Sequence, residues 1–180
     1  IVDLAFLLVV AMYGFYGIID DLIELSRIPK IFIPLTFAYP LIIVFSQESF
    51  WVPLFGELKL NQEIGNLGFT WETFFKLSIV PVYVMVVVNL VNMHSGFNGL
   101  QSGLSFIVLA TLILKSIIDE KTDNLLPAAA FLGSILAFWW FNKYPSKIIE
   151  GNIGSLSFGA VIGTLIVVQQ YWWFGFFILI

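Results

Sequence analysis

Between Leu77 and Leu114 the chain carries no formal charge, and this run is interrupted once, at Asn89 to Leu100, by three asparagines, two glycines and the only histidine. A single crossing of a ~30 Å hydrocarbon layer needs only about 20 residues, so the run holds two crossings and must turn between them. The turn falls on Asn89-Leu90-Val91-Asn92-Met93-His94-Ser95-Gly96-Phe97-Asn98-Gly99-Leu100. Lipid offers no partner to a backbone amide or a carboxamide, so polar chain of this kind lies at the water interface or lines a protein cavity. Either place makes the segment a candidate site.

Composition supports a membrane protein: 59% of residues are apolar and 17% aromatic, while 11% are charged, against ~25% in a soluble domain. Cysteine is absent, which excludes disulfides, thiolate metal sites and a cysteine nucleophile. A net charge of −4 with eight basic residues gives no electrostatic basis for binding nucleic acid. The chain opens on Ile1 and ends within an apolar stretch, and it reads as one domain, 1–180, cut from a longer protein.

Apolar stretches with at most one charge place the spans at Leu4 to Ile19, Ile31 to Gln47, Thr73 to Met93, Asn98 to Ile118, Leu125 to Phe141 and Gly154 to Val168, with a truncated one after Gln170. The expected fold is an all-α polytopic transmembrane bundle of about seven spans. Pro34 and Pro40 are expected to kink the second span. Glu48 to Glu72 reads as a loop whose Glu57-Leu58-Lys59-Leu60 suits a small hairpin.

Each crossing reverses the side of the next loop. Asp20 to Lys30, Asn89 to Asn98 and Asn142 to Asn152 therefore share one face, and Glu48 to Glu72 and Asp119 to Asn124 share the other. Lysine and arginine are balanced between the two faces, so charge alone does not orient the chain.

The first face carries the chemistry. Adjacent Asp20 and Asp21, with Glu24 one turn on, either mark the interface or offer oxygen ligands to Mg²⁺, which takes one or two carboxylates together with substrate phosphates. Asn89 and Asn92, three apart on one helical face, offer carboxamides to a cation, phosphate or sugar hydroxyl, or to a neighbouring helix. Gly96-Phe97-Asn98-Gly99 suits a tight turn against a ligand or against the chain itself. Lone His94 reads as an interfacial side chain or a proton carrier, and not as a zinc ligand. Lys30 and Lys147 are phosphate contacts or snorkelling lysines, and Gly151-Asn152-Ile153-Gly154-Ser155 opens a helix whose free N–H groups favour an anion.

Four ordered motifs now carry a resemblance: Gly17-Ile18-Ile19-Asp20-Asp21 with Lys30, Asn89-x-x-Asn92-x-x-x-Gly96-x-Asn98-Gly99-Leu100, Tyr144-Pro145-Ser146, and Gly151-Asn152-x-Gly154-Ser155. Together they resemble the polyprenyl-phosphate N-acetylhexosamine-1-phosphate transferase superfamily. The Gly-x-Asn-Gly-Leu and Tyr-Pro-Ser forms look like its dolichol-pathway branch; bacterial members usually have Asp at the places of Ser95 and Asn98. The resemblance implies transfer of GlcNAc-1-phosphate from UDP-GlcNAc to a polyprenyl or dolichyl phosphate with release of UMP, the first membrane step of lipid-linked glycan assembly. It implies Mg²⁺, or Mn²⁺ in its place, as cofactor, membrane lipid and the two substrates as partners, and a homodimer as an assembly to be considered. By the same resemblance Asp20 and Asp21 are the catalytic acidic pair. Asn92 and Asn152 are metal ligands, and Lys30, Asn89, Gly96, Asn98 and Lys147 bind substrate. The active face would be cytoplasmic, in an archaeal-type cell membrane or the endoplasmic reticulum membrane. Asn152 stands where the family commonly has an aspartate, so a neutral oxygen replaces a charged one. The family's later donor-binding loop has no counterpart in these residues. The reading from another class is a transporter with a polar site at broken helices.

Overall fold

The computed structural model describes residues 1–23, 26–53, 56–64 and 68–179. Its elements in order are α1 (Val2–Ile23), α2 (Arg27–Thr36), α3 (Pro40–Val44), the strands β1 (Ser49–Val52) and β2 (Gly56–Lys59), α4 (Trp71–Phe74), α5 (Val80–Met93), α6 (Leu100–Ile118), α7 (Leu125–Asn142), α8 (Gly151–Val168) and α9 (Trp172–Leu179). A π-helical turn, Phe75–Ile79, joins α4 to α5 without a break. The result is the expected all-α polytopic bundle with one small antiparallel hairpin, in which Phe50 faces Leu58 and Trp51 faces Glu57.

Among the described residues five helices are long and apolar enough to cross a membrane: Val2–Ile23, Trp71–Met93, Leu100–Ile118, Leu125–Asn142 and Gly151–Val168. The expected count of about seven is not reached among the described residues. The second expected span is two short helices, α2 and α3, and α9 has eight residues. Proline explains the break: Pro34 lies inside α2, and Pro40 restarts the chain as the first residue of α3. The first span runs past its expected end to Ile23, so Asp20 and Asp21 belong to the last turns of α1 and do not follow it. Glu24 lies outside the described residues.

α8 is the centre. Its apolar residues recur on every side, as a helix enclosed by others requires, and 61% of its span is buried, against 17–39% for the other four. Phe6, Val9 and Tyr13 of α1, Val84 and Val88 of α5 and Ile162, Leu165 and Ile166 of α8 form much of the core. α1 and α8 meet most closely at Gly17, where a Cβ would lie 2.5 Å from Ile153 Cα and 2.6 Å from its nitrogen. Only glycine allows this approach. α2 is held to α1 by Tyr13, whose hydroxyl donates to the Pro34 carbonyl at 2.9 Å.

Far from the C-terminal end of α1, Gln170 Nε2 donates to the Ser46 carbonyl, Trp172 Nε1 to Gln47 and Lys121 Nζ to the Gln169 carbonyl. These bonds gather the loops assigned to the second face at one end of the bundle. The loops assigned to the first face meet at the other.

Candidate functional site

At the first face α1, α2, α5 and α8 present polar side chains to one another. Asp20 is 6% exposed and pairs with Lys30 of α2, Nζ to Oδ1 at 2.9 Å. Asp20, Lys30, Asn89 and Asn92 line one small cavity, closed by Tyr16, Pro34, Val88 and Leu156. Its volume of about 30 Å³ admits a water molecule or an ion, not a sugar nucleotide. A larger ligand would reach these groups from its mouth.

The acidic pair divides. Successive residues of a helix point about 100° apart, so while Asp20 turns to Lys30, Asp21 turns to the N-terminus of α8. Its two carboxylate oxygens accept the Asn152 N–H at 3.1 and 3.0 Å, and Oδ2 also accepts the Ile153 N–H at 3.4 Å. The anion expected at this helix start is thus supplied by the protein itself. Asn92 is fixed from the same turn of α8, since Ser155 Oγ lies 2.6 Å from Asn92 Oδ1 and 3.2 Å from the Asn152 carbonyl. Asn89 Nδ2 donates back to the Met85 carbonyl of its own helix.

Other expected residues stay outside this cluster. His94 caps α5, its Nδ1 2.8 Å from the Leu90 carbonyl, which suits the interfacial reading. Gly96 and Asn98 are exposed on the turn, and nothing lies within 4 Å of where a Gly96 Cβ would be. Lys147 is exposed on the neighbouring loop. They share the face with Asp20 but do not line its cavity.

Asn142 was not among the expected residues, although it clamps the face. It is 2% exposed; its Oδ1 accepts the Gly99 N–H at 2.9 Å and the Ser102 hydroxyl at 2.8 Å, and its Nδ2 donates to the Ile148 carbonyl at 3.0 Å. The turn before α6 and the loop before α8 are thereby tied together. Gly99, with φ at 76°, comes so close to the Lys143 backbone that a Cβ would lie 2.8 Å from its Cα. An asparagine at the end of an apolar span, just before Tyr144-Pro145, was the available signal. Glu150 was also missed: it is buried beside the start of α8, and burial pushes its carboxyl up to about 7.

Among the described residues no three His, Asp or Glu side chains converge as a ready-made cation cage. The donors that do converge, one carboxylate and two carboxamides, are hard oxygen groups of the kind Mg²⁺ accepts when substrate phosphates complete its shell.

Residues 4–170 match the family described as glycosyl transferase family 4. The chain belongs to this family. It is 35% identical over 165 residues to a Methanocaldococcus jannaschii protein whose name marks it as an inferred glycosyltransferase, covering 92% of this chain and 48% of that one. It is 30% identical to an inferred UDP-N-acetylglucosamine–dolichyl-phosphate N-acetylglucosaminephosphotransferase of Saccharolobus solfataricus, over 86% of this chain and 45% of that protein. To the phospho-N-acetylmuramoyl-pentapeptide-transferase of Clostridium beijerinckii it is 28% identical, over 85% and 48%. The chain therefore spans about half the length of the curated relatives it matches. The superfamily expected from the four motifs is the one these relatives carry, and with the apolar helices it makes the chain part of an integral membrane protein.

Proposed function

We propose that this chain is the catalytic segment of a membrane transferase that moves an N-acetylhexosamine-1-phosphate from a UDP-sugar to a polyprenyl phosphate. The observation that carries the reading is the meeting of Asp20, Lys30, Asn89 and Asn92 around one cavity at one end of the bundle, in a chain of this family. The archaeal relatives named for UDP-N-acetylglucosamine and dolichyl phosphate favour UDP-GlcNAc as donor and a dolichyl-type acceptor, as do the Gly-x-Asn-Gly-Leu and Tyr-Pro-Ser sequences. The active face is then cytoplasmic, where nucleotide sugars are made. A transporter would carry its polar groups near the bilayer midplane, whereas these lie in the last turns of α1 and α5 and the first turn of α8.

In this reading an oxygen of the lipid phosphate attacks the β-phosphorus of the donor. The bond from that phosphorus to the oxygen bridging to the α-phosphate breaks, and its electron pair leaves with UMP. Phosphoryl transfer asks the protein mainly to position groups and offset charge. Lys30 supplies a cation to phosphate oxygen in exchange for its present partner, Asp20. Asp20 and Asn92, which line the cavity, would hold Mg²⁺, which when bound would offset charge on the donor diphosphate; Asn152, outside the cavity lining at the start of α8, is the third ligand that the resemblance names. Asp21 acts at one remove: by holding the first turn of α8 it places Asn152 and Ser155, and through Ser155 it places Asn92. Asn89 faces the same cavity and orients the phosphate or sugar.

The test is UMP release by the full-length protein. UMP should appear from UDP-GlcNAc only when a polyprenyl phosphate is present. Release without acceptor, or none with every acceptor and UDP-N-acetylhexosamine, would refute the reading.

A further inference from the structure

The ion pair between α1 and α2 is uneven. Asp20 is 6% exposed and Lys30 43%, so the carboxylate is enclosed while the ammonium, at the end of a flexible four-carbon stem, has solvent on one side. A carboxylate so enclosed is costly without a positive partner, and Lys30 Nζ holds its Oδ1 at 2.9 Å. The rest of the cavity offers it neutral groups, the carboxamides of Asn89 and Asn92 among them, and no second carboxylate among the described residues.

The cavity measures about 30 Å³, room for one water or one ion. A divalent cation on Asp20 and Asn92 and an ammonium still on Asp20 would be like charges a few ångströms apart, in a site where bulk water and salt screen them poorly. They exclude one another. The parts around Lys30 are fixed: α2 is tied to α1 by the Tyr13 hydroxyl on the Pro34 carbonyl, Asn89 is bonded to the Met85 carbonyl, and Asn92 is bonded by Ser155. The Lys30 side chain is the part free to move, and its open side leads outward to the mouth.

We propose that Lys30 is a latch on Asp20: its ammonium withholds the carboxylate from Mg²⁺ until a diphosphate at the mouth draws it away. This rests on the transferase reading above and adds to it an order of assembly, in which cation and donor diphosphate enter together. Charge stays matched throughout. Asp20 exchanges one positive partner for another, and the ammonium exchanges a carboxylate for a phosphate.

A latch and a merely structural ion pair differ in sign. Removing a structural lysine weakens every ligand of the site, whereas removing a latch strengthens the cation and weakens the diphosphate. The experiment therefore measures the two ligands apart on the full-length protein in detergent: Mn²⁺ alone, by loss of the free-ion electron paramagnetic resonance signal, and UDP alone, by equilibrium dialysis in EDTA. Lys30→Met should bind Mn²⁺ at least tenfold more tightly than the unmodified protein and UDP at least tenfold more weakly. Lys30→Arg, which keeps the charge, should bind Mn²⁺ as weakly as the unmodified protein. Lys143→Met removes a charge of the same face that lies over the Trp140 ring, and should leave Mn²⁺ affinity unchanged. Adding Asp20→Asn to Lys30→Met should abolish the gain, which ties it to this carboxylate. If Lys30→Met does not purify, Lys30→Gln carries the same expectations, since its amide still donates to Asp20. Equal or weaker Mn²⁺ binding in Lys30→Met, undiminished UDP binding, an equal gain in Lys143→Met, or a gain that survives Asp20→Asn would each overturn the latch. The two opposite shifts in a protein that never releases UMP would uphold the latch and refute the transfer reaction. UMP release by a protein whose Mn²⁺ affinity is unmoved by Lys30→Met would do the reverse.

Discussion

Replacing Gly17→Ala isolates the contact on which the geometry of the site depends. In a helix interior alanine is favoured over glycine by about 0.5–1 kcal/mol, so propensity alone predicts a more stable protein. The structure predicts the opposite. The new Cβ would sit 2.5 Å from Ile153 Cα, 2.6 Å from Ile153 N and 2.7 Å from the Asn152 carbonyl carbon. All three are backbone atoms that no rotamer change can move. Ordinary contact begins at 3.4 Å, a shortfall of 0.9 Å, so α1 and the first turn of α8 must part by about that distance. Overpacking of this kind costs roughly 1–3 kcal/mol, which after the propensity gain leaves a net loss of about 1 kcal/mol at the middle of both ranges and about 2.5 kcal/mol at most. At ~2–4 °C per kcal/mol for a chain of this size, the melting temperature in detergent should fall by about 2–4 °C at the middle of those ranges and by about 10 °C at most. Turnover should suffer more, because the atoms displaced carry Asn152 and the N–H groups that hold Asp21, and a misplacement near 1 Å costs about 100-fold. Gly133→Ala on α7 is the matched control, since nothing lies within 4 Å of its Cβ position; it should be neutral or slightly stabilising. Thermal unfolding and UMP release of both variants, followed side by side, decide the matter. If Gly17→Ala melts and turns over like Gly133→Ala, the close approach of α1 to α8 is wrong.

Three further outcomes are expected. Asp20→Asn should lower turnover by orders of magnitude with normal insertion, and any stability it loses should return when Lys30→Met removes the stranded cation, whereas Asp21→Ala should cost about 1 kcal/mol for a lost charge at a helix start that Lys30→Met does not restore; identical behaviour of the two would undo the division of the pair. Asn152→Asp should lower the Mg²⁺ concentration for half-maximal rate, by adding a charged oxygen, and an unchanged Mg²⁺ dependence would remove this residue from the metal. At the opposite face, the hydrogen bond from Lys115 to Asp119 holds that carboxyl below its usual value. A lowered carboxyl stabilises the fold above its unfolded pKa and loses that contribution as pH falls through the folded one, so Lys115→Met should move the acid-side loss of stability to higher pH. Melting curves across the acidic range would show no displacement if the bond is absent in solution.

The membrane class and the sharing of a face by Asp20, Asn89, Asn92 and Asn152 were legible because they follow from charge-free length and from counting crossings, and the hairpin because Glu57-Leu58-Lys59-Leu60 alternates in polarity. Helix ends were less so. The α1 helix carries Asp20 and Asp21 inside its last turns, since two carboxylates with a cation and a helix N-terminus as partners do not force the chain out of the helix. The second span broke more fully than a kink because its two prolines remove donors within one short stretch. The different partners of adjacent Asp20 and Asp21 were not legible at all, because the difference comes from what α2 and α8 bring to each side of α1. Nor does local sequence reveal that Ser155 orients Asn92, a pairing across 63 positions.

The clamp at Asn142 has a consequence for how such proteins diversify. Because one buried carboxamide bonds to Gly99, Ser102 and Ile148 at once, the turn before α6 and the loop before α8 form a single structural unit. A chimera that takes residues 94–102 from one relative and 142–150 from another would pair a carboxamide with a backbone shaped for a different partner. Grafting both segments together should preserve folding, while grafting either alone should yield a protein that assembles poorly.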